Sequence, residues 1–335
     1  MNRLHILFGV LLCFYLTKAT AQGQVKRASV RTAVPEWRPH IPKKILRQLQ
    51  AKEDSLKGLA WRIINDSLAE DKRKAAYAFI PAFKRALKTD YSFFYPFDSL
   101  TTISVLYPPD STFRIFSWQV YYGRGVTRYF GVIQMRSIQM KIFPLFDKSD
   151  SLPADCQAVL SPDTWWGQLY YHLIQKTIKG KNVYTLLGFE AVDILQRRKM
   201  IDFLTFDEKG NPQFGAPLLH YSYEDTAFRS KSKDTLHRMF MSYKWNAQTT
   251  LNFDPELEMI VFDHLAPPNP MAKDATFMFV PDGTYEGFEW KGDRWNWVEK
   301  VFTFAINEND DPPIPFPLFG KPERQPNLEP GGTPK

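Results

Sequence analysis

The residues with the clearest chemical potential are an aspartate and a histidine that follow one another. Asp263 and His264 come at the end of a short apolar run, and a carboxylate with an imidazole can bind a metal ion or act as acid and base. Successive side chains of a strand point to opposite faces, so these two residues are not expected to contribute to the same site. We therefore expect structural roles for both. The same expectation holds for His172, His220 and His237, which lack metal-site spacing.

Carboxylates that could hydrolyse a glycoside are also present. Two of them would have to lie about 5–10 Å apart on one wall of a cleft. The residues available are Glu190, Asp193, Asp202, Glu286 and Glu289, and their spacing does not single out a pair. The acidic run at residues 207–211 lacks the spacing of a calcium loop and predicts a hairpin turn instead.

Short motifs of several large enzyme classes are absent from the sequence, among them the P-loop, H-E-x-x-H, G-x-S-x-G, C-x-x-C and the EF-hand. Cys156 is the cysteine that remains once the predicted leader, which contains Cys13, is removed. It can form no intramolecular disulfide, and its neighbours offer no base that would activate a thiol. The sequence predicts no cofactor and no metal site, and it favours a non-catalytic protein over an enzyme.

Aromatic side chains give the best indication of a binding site. The candidate ligand-binding residues form two groups, Trp165, Trp166 and Tyr170 in one stretch and Trp290, Trp295 and Trp297 in another. An exposed ring can stack on a sugar or anchor a protein partner. The alternative is that these rings belong to the hydrophobic core, which a body of this size also requires.

The elements that must position these residues are mostly strands. Over residues 91–306, apolar and polar residues alternate and Gly, Asn and Pro interrupt them at short intervals, which is typical of antiparallel strands joined by tight turns. The predicted elements include a turn at residues 123–125, a strand at 276–281 and a link at 282–283 that joins this strand to the next. Links this short exclude the long crossovers of parallel strands. The sequence predicts a mainly β fold, a large antiparallel meander that forms a curved sheet, a sandwich or a barrel-like arrangement. A partial β-propeller is the alternative, since residues 109–111 and 281–283 are similar and both precede aromatic strands.

Residues 42–90 predict a basic helical segment. Apolar residues recur at steps of three, four and seven, as in Leu49, Leu56 and Ile63. A break is expected at residues 65–67, and Pro81 predicts a kink or the start of a new helix. Two or three helices should therefore dock on the β body or on each other.

The N-terminus predicts export. Residues 1–21 combine an early Arg3, an apolar run at 4–16 and an A-x-A cleavage motif at 19–21, as in a signal peptide. An extended lead-in at 22–41 and a Pro-rich tail at 307–335 flank the remainder. No later apolar run has the ~20 residues of a membrane span. We expect a mature chain without a transmembrane segment, located in the periplasm, at the outer membrane or outside the cell.

Charge is unevenly distributed along the chain. Residues 22–90 contain 16 lysines and arginines and 7 acidic residues, a net charge of +9, whereas the chain from Tyr91 onward has a net charge of −4. An exported protein is not expected to bind nucleic acid. The basic segment favours an anionic surface such as a lipid headgroup, a cell-wall polymer or an acidic protein, and a solvated helix face is the alternative.

Four phrases carry a resemblance to known sequences. They are YPFDSL at 95–100, PDSTFRIFSW at 109–118, YFG at 129–131 and YTLLGF at 184–189. Together they resemble an uncharacterised family of exported Bacteroidota proteins. The resemblance implies an exported setting and carries no catalytic residue.

Two functions follow from these expectations. The first is a non-catalytic binding or structural module of the cell envelope, with an envelope polymer, a glycan or a protein as its partner. The alternative is a hydrolase of polysaccharide or of the envelope, with a site on the β body.

Overall fold

A computed structural model describes residues 39–221 and 235–302 of the chain. The predicted leader, nearly all of the lead-in and the Pro-rich tail lie outside these residues. The helical segment forms two helices, α1 (Lys43–Asn65) and α2 (Ala69–Leu87), joined by a short link. The predicted break after Asn65 is confirmed. Pro81 lies inside α2 and does not begin a third helix.

Four strands that follow the helices form sheet 1. They are β1 (Ser104–Leu106), β2 (Phe113–Gly123), β3 (Val126–Met135) and β4 (Ile142–Phe146), and they pair in chain order with antiparallel neighbours. The turn predicted at residues 123–125 links β2 to β3, so this hairpin is confirmed.

The next strands form sheet 2. They are β5 (Leu169–Ile178), β6 (Lys181–Ala191), β7 (Gln196–Phe206), β8 (Pro212–Phe214) and β10 (Met239–Lys244). The order is β10-β7-β6-β5, and β8 also pairs with β7. The predicted turn between β7 and β8 is confirmed. The Asp207 carboxylate accepts the backbone N–H groups of Lys209 and Asn211 at 2.9 and 2.8 Å, and Gly210 has a φ of 78°.

The remaining strands form sheet 3. They are β9 (Leu219–His220), β11 (Leu251–Asp254), β12 (Met259–Ala266), β13 (Val280–Lys291) and β14 (Arg294–Val298), in the order β11-β12-β13-β14-β9. The pairing of β14 with β9 is parallel, unlike the other strand pairs described here. It joins segments far apart in the sequence, so no short link constrains its direction.

The strand predicted at residues 276–281 is wrong. Thr276–Met278 forms a 3₁₀ turn and β13 begins at Val280. Asp282 and Gly283 do not link two strands, because they form a bulge inside β13. The Asp282 carboxylate accepts hydrogen bonds from the backbone N–H and the hydroxyl of Thr284 at 2.9 and 2.7 Å, and Gly283 has a φ of 92°. The phrase at 281–283 is therefore not equivalent to that at 109–111, which precedes β2.

Three hydrophobic clusters arrange these elements in layers. The first packs both helices against one face of sheet 1, where Phe83 meets Phe116 and Trp118. The second lies between sheets 1 and 2, and the third lies between sheets 2 and 3. The predicted mainly β fold with an N-terminal helical segment is confirmed. Its single meander is in fact three sheets that pack face to face, as in a sandwich with an additional layer.

Candidate functional site

Four of the six aromatic candidates are buried between the layers. Trp165, Trp166 and Tyr170 lie between sheets 1 and 2, and Trp295 lies between sheets 2 and 3. The indole of Trp165 donates to the Tyr170 hydroxyl at 2.8 Å, and that of Trp295 donates to the Thr185 hydroxyl at 3.0 Å. In this structure these rings fill the core and satisfy its polar groups.

The two other candidates are partly buried on sheet 3. Trp290 is the cross-strand neighbour of Trp295 and packs edge-to-face on it, with 5.3 Å between ring centroids. The Trp297 indole donates to Glu286 at 3.0 Å. The structure thus brings Trp290 close to Trp295, while the group at 165–170 lies in another layer. The six residues do not share one surface.

Asp263 and His264 contact different residues, and the register of β12 with β13 shifts between Asp263 and Leu265. Asp263 accepts hydrogen bonds from the Thr250 backbone and the Thr249 hydroxyl at 2.5 and 3.2 Å. The Nδ1 atom of His264 lies 2.7 Å from Asp282, and its Nε2 atom lies 3.7 Å from Glu286. His264 therefore lies between two carboxylates, the partly exposed Asp282 and the buried Glu286.

Each of the remaining carboxylate candidates has a structural partner. Glu190 pairs with Arg198 at 3.2 Å and Asp202 pairs with Arg238 at 3.2 Å, both between sheets 1 and 2. Burial raises the pKa of both carboxyls above its usual range. Asp193 accepts backbone N–H groups at the β6–β7 turn, and Glu289 pairs with Lys291 on the surface.

Over residues 39–221 and 235–302, no cluster of three or more His, Cys, Asp or Glu side chains could hold a metal ion. Cys156 is buried, and its carbonyl accepts a hydrogen bond from Arg238 at 2.9 Å. The part of the chain that can be described also lacks a helix long and apolar enough to cross a membrane.

A cavity that the sequence did not single out lies beside α1. Its volume is about 610 Å³, and it is open to solvent between α1 and the loop that leads to β1. The lining includes Trp61, the cations of Lys57 and Arg62, and the hydroxyl side chains of the facing loop at positions Ser99, Thr101 and Thr102. We call it the Trp61 cavity. It combines an aromatic wall, hydroxyl groups and positive charge.

Trp61 lies in this cavity because it is off the apolar stripe of its own helix. Leu56, Ala60 and Ile63 are buried against the layer beneath, whereas Trp61 is 57% exposed. The loop opposite is held in place by two contacts to α1. The Thr102 hydroxyl donates to the Ala60 carbonyl at 2.7 Å, and the Ser99 backbone donates to Glu53 at 2.6 Å. In the sequence, an exposed Trp61 was indicated by its position outside the apolar stripe of α1.

A second concave surface lies on the other side of α1, between it and α2. This basic groove has a volume of about 620 Å³ and is lined by Lys52, Arg85, Lys88 and Asp90, with neutral residues between them. The Lys52 amine donates to the Arg85 carbonyl at 3.1 Å and to the Thr89 hydroxyl at 2.5 Å. Arg85 and Lys88 form no ion pair with the described residues. Both concave surfaces beside α1 therefore contain more basic than acidic lining residues, and Arg62 is paired with Asp66 at 2.9 Å.

Comparisons with known proteins returned no relative, since no family model, curated protein or solved structure matches this chain.

Proposed function

We propose that this protein is an exported, non-catalytic binding module of the cell envelope, and that it binds an acidic polysaccharide in the Trp61 cavity. The observation that carries the proposal is an exposed tryptophan on the wall of a cavity that also holds Lys57 and Arg62. A flat ring provides a stacking surface for a sugar. Cations beside it attract the carboxylate or phosphate of an acidic polymer.

The hydroxyl groups of the facing loop add hydrogen-bonding capacity to this cavity. A pyranose presents alternating donors and acceptors, and the hydroxyls of Ser99 and Thr101 can serve either role. The basic groove lies on the opposite side of the same helix. A polymer that crosses α1 would therefore meet positive charge on both sides. Its binding is expected to weaken as salt concentration rises, because exposed charges are screened over about 10 Å at 0.1 M salt.

The test is binding of the purified protein to polygalacturonate and to neutral dextran, measured by affinity electrophoresis. We expect retardation by the acidic polymer and little by dextran. Trp61→Ala is expected to weaken binding at least fivefold, because stacking on one ring contributes roughly 1–3 kcal/mol. Trp245→Ala is the matched control, since Trp245 is also half exposed but lies outside the cavity.

Two results would contradict the proposal. One is the absence of binding to acidic and neutral polymers alike. The other is an equal loss in the Trp61 and Trp245 variants, which would mean that the cavity is not the site. A Lys57→Glu variant provides an independent measurement, because it is expected to reduce binding to the acidic polymer without altering the aromatic wall.

A polysaccharide hydrolase is the second candidate, and the arrangement at His264 favours it. The imidazole lies between the carboxylates of Asp282 and Glu286, and the His264 side chain is 19% exposed. An imidazole placed between two carboxylates is a candidate general acid or base. If the protein hydrolyses the polymer, reducing ends will accumulate and His264→Gln will abolish the activity. A binding module will release none, and His264→Gln will leave its affinity unchanged.

A further inference from the structure

Six exposed apolar side chains from four separate parts of the chain meet at one edge of the molecule. We call this set the apolar edge: Leu68, Tyr121, Val126, Ile194, Leu195 and Trp245. Each of them is between 42% and 66% exposed. They come from the α1–α2 link, the β2–β3 hairpin, the β6–β7 turn and the residue after β10.

Contacts between these elements make the edge continuous. A Cβ atom built on Gly125 would lie 2.5 Å from the side chain of Ile194, so the two hairpin turns touch. A Cβ atom on Gly123 would lie 3.4 Å from that of Ala69, beside Leu68. At the other end, the backbone N–H of Trp245 donates to the carbonyl of Leu195 at 2.9 Å.

Turns are an unusual place for such residues. Gly, Pro, Asn, Asp and Ser dominate turns because they suit the backbone geometry and the solvent. Here the β6–β7 turn presents Ile194 and Leu195 side by side, 66% and 51% exposed. Side chains at the tips of hairpins project outward from the body of the protein. They can therefore insert into a fluid surface such as a lipid bilayer, which requires no complementary groove on the protein.

The unpaired charges beside the apolar edge are cations, because the acidic residues next to Leu68 are already in ion pairs: Asp66 with Arg62, and Glu70 and Asp71 with Lys74. Arg124 lies at the tip of the β2–β3 hairpin and Lys244 precedes Trp245. Both side chains are exposed and neither forms an ion pair with a described residue. Asp193 is the acidic residue of the β6–β7 turn, and its carboxylate already accepts two backbone N–H groups at 2.7 and 2.9 Å. The edge therefore presents apolar tips and aromatic rings flanked by free cations.

We infer that the apolar edge docks on the surface of an anionic lipid bilayer. Aliphatic tips can enter the boundary between headgroups and acyl chains, where Trp and Tyr side chains are favoured. The flanking cations would then lie among the lipid phosphates, and each is expected to strengthen binding roughly fivefold. This inference does not depend on the proposed polysaccharide site, because the Trp61 cavity shares no residue with the edge.

The experiment uses the chain from Gln22, the exported form that the leader predicts, so that the apolar leader does not bind lipid itself. Sedimentation is measured with vesicles of phosphatidylethanolamine and phosphatidylglycerol, and with vesicles of phosphatidylcholine. We expect binding to the anionic vesicles, strongest at low salt. Trp245 emission should shift to the blue on binding, and this shift should be absent in Trp245→Phe.

The double variant Ile194→Ser with Leu195→Ser is expected to lower vesicle binding at least tenfold, because it removes the apolar area that would enter the bilayer. Met271→Ser and Trp61→Ala are the matched controls, since Met271 and Trp61 are 96% and 57% exposed but lie outside the edge. Arg124→Glu with Lys244→Glu changes only exposed side chains and tests the charge independently of folding. It should also lower binding by roughly tenfold or more.

The inference is overturned if the native protein does not sediment with anionic vesicles, or if the edge variants bind as well as the controls. It is also overturned if light scattering shows a native dimer that the edge double variant converts to a monomer. In that case a second copy of the chain covers the edge. Circular dichroism and thermal unfolding of each variant separate a loss of binding from a loss of fold.

Discussion

The two faces of sheet 2 differ in whether their charged side chains have ion-pair partners. Both faces are formed by the same strands, whose alternate residues point to opposite sides. On β7, Arg198 and Asp202 face sheet 1 and each has a charged partner. Lys199 faces sheet 3, and no salt bridge joins it to any residue of the described ranges. We call these the paired face and the unpaired face of sheet 2.

On the paired face, Arg238 acts as a connector between segments. Its guanidinium donates to Asp202 at 3.2 Å and to the carbonyls of Cys156, Ala158 and Phe214 at 2.9, 2.8 and 3.0 Å. Both side chains of the ion pair are completely buried. The pair therefore fixes the loop before Leu160 and the strand β8 against the centre of the sheet.

On the unpaired face, Lys199 lies among aromatic and apolar groups. Its amine is 5.5 Å from the centroid of the Tyr171 ring. Burial lowers the pKa of Lys199 from 10.5 to about 8, and the charge of Asp263 offsets part of this effect. The comparison indicates that the buried ion pairs of the paired face join separate segments, whereas the partly buried cation of the unpaired face has no salt bridge that would offset its desolvation.

The largest expected effect comes from Arg238→Met. This change leaves Asp202 buried without its counter-charge, and breaking a buried pair in this way costs about 3–5 kcal/mol. The free energy of unfolding, measured by urea denaturation, should fall by that amount. The double variant with Asp202→Leu should recover much of the loss, because it removes the uncompensated carboxylate. A loss below about 1 kcal/mol in the single variant would show that the pair does not hold these segments.

A steric change on the paired face ranks second. A Cβ atom on Gly188 would lie 1.6 Å from Oε1 of Gln168, a side chain that is itself completely buried. Gly188→Ala should therefore lower the free energy of unfolding by about 2 kcal/mol. Gly58→Ala on the exposed side of α1 is the control. Its Cβ atom meets nothing within 4 Å, and a gain of about 0.5–1 kcal/mol is expected from helix propensity.

On the unpaired face, Lys199→Met is expected to increase stability. Between pH 8 and 10.5 the folded state binds fewer protons than the unfolded state, so the native protein should become more stable as the pH rises through that range. At pH 7 the variant should gain about 1–2 kcal/mol and lose this pH dependence. Unfolding measured at several pH values provides the test. Lys199→Arg, which keeps the charge, should show no gain, and equal slopes in native and Lys199→Met protein would contradict the assignment.

The smallest effect is expected from Glu190→Gln. The Glu190 carboxylate accepts hydrogen bonds from Trp166 at 3.0 Å and from Arg198 at 3.2 Å. The variant weakens these bonds but also removes a charge that burial disfavours, so the net change in the free energy of unfolding at neutral pH should be below about 1 kcal/mol. Burial raises the pKa of Glu190 above 4.5, so the stability that it contributes falls as the pH rises above that value. The variant should lack this slope. Glu289→Gln, on the exposed pair with Lys291, should change stability by less than about 0.5 kcal/mol.

Local rules predicted the elements well. The stripe of Leu49, Leu56 and Ile63 predicted a helix because side chains three, four and seven residues apart share one face. The turn at residues 207–211 was predictable because an aspartate carboxylate and a glycine fix the backbone within five residues. Two predictions in one region were wrong: residues 276–278 form a 3₁₀ turn where a strand was expected, and residues 282–283 form a bulge inside β13 where a link between strands was expected.

The residues of the candidate site were harder to predict from the sequence than the secondary structure. Most of the aromatic candidates are core residues, since sheet 2 is covered on both faces. Leu186 and Leu187 are neighbours on β6, yet they belong to different hydrophobic clusters. The alternating pattern suggested strands with one buried face. The run YTLLGF at 184–189, which contains no charged residue, indicated a strand with both faces buried.

The sequence by itself determined the order and type of the elements, the basic helical segment and the mostly antiparallel pairing, because these depend on contacts within a few residues or on short links. The tertiary structure decided that three sheets stack, that Asp202 meets Arg238, and that Trp61 faces a loop some 40 positions later. It also decided that Leu68, Ile194 and Trp245 share one edge. Such contacts depend on which buried faces pack together, and that choice is made by the whole core.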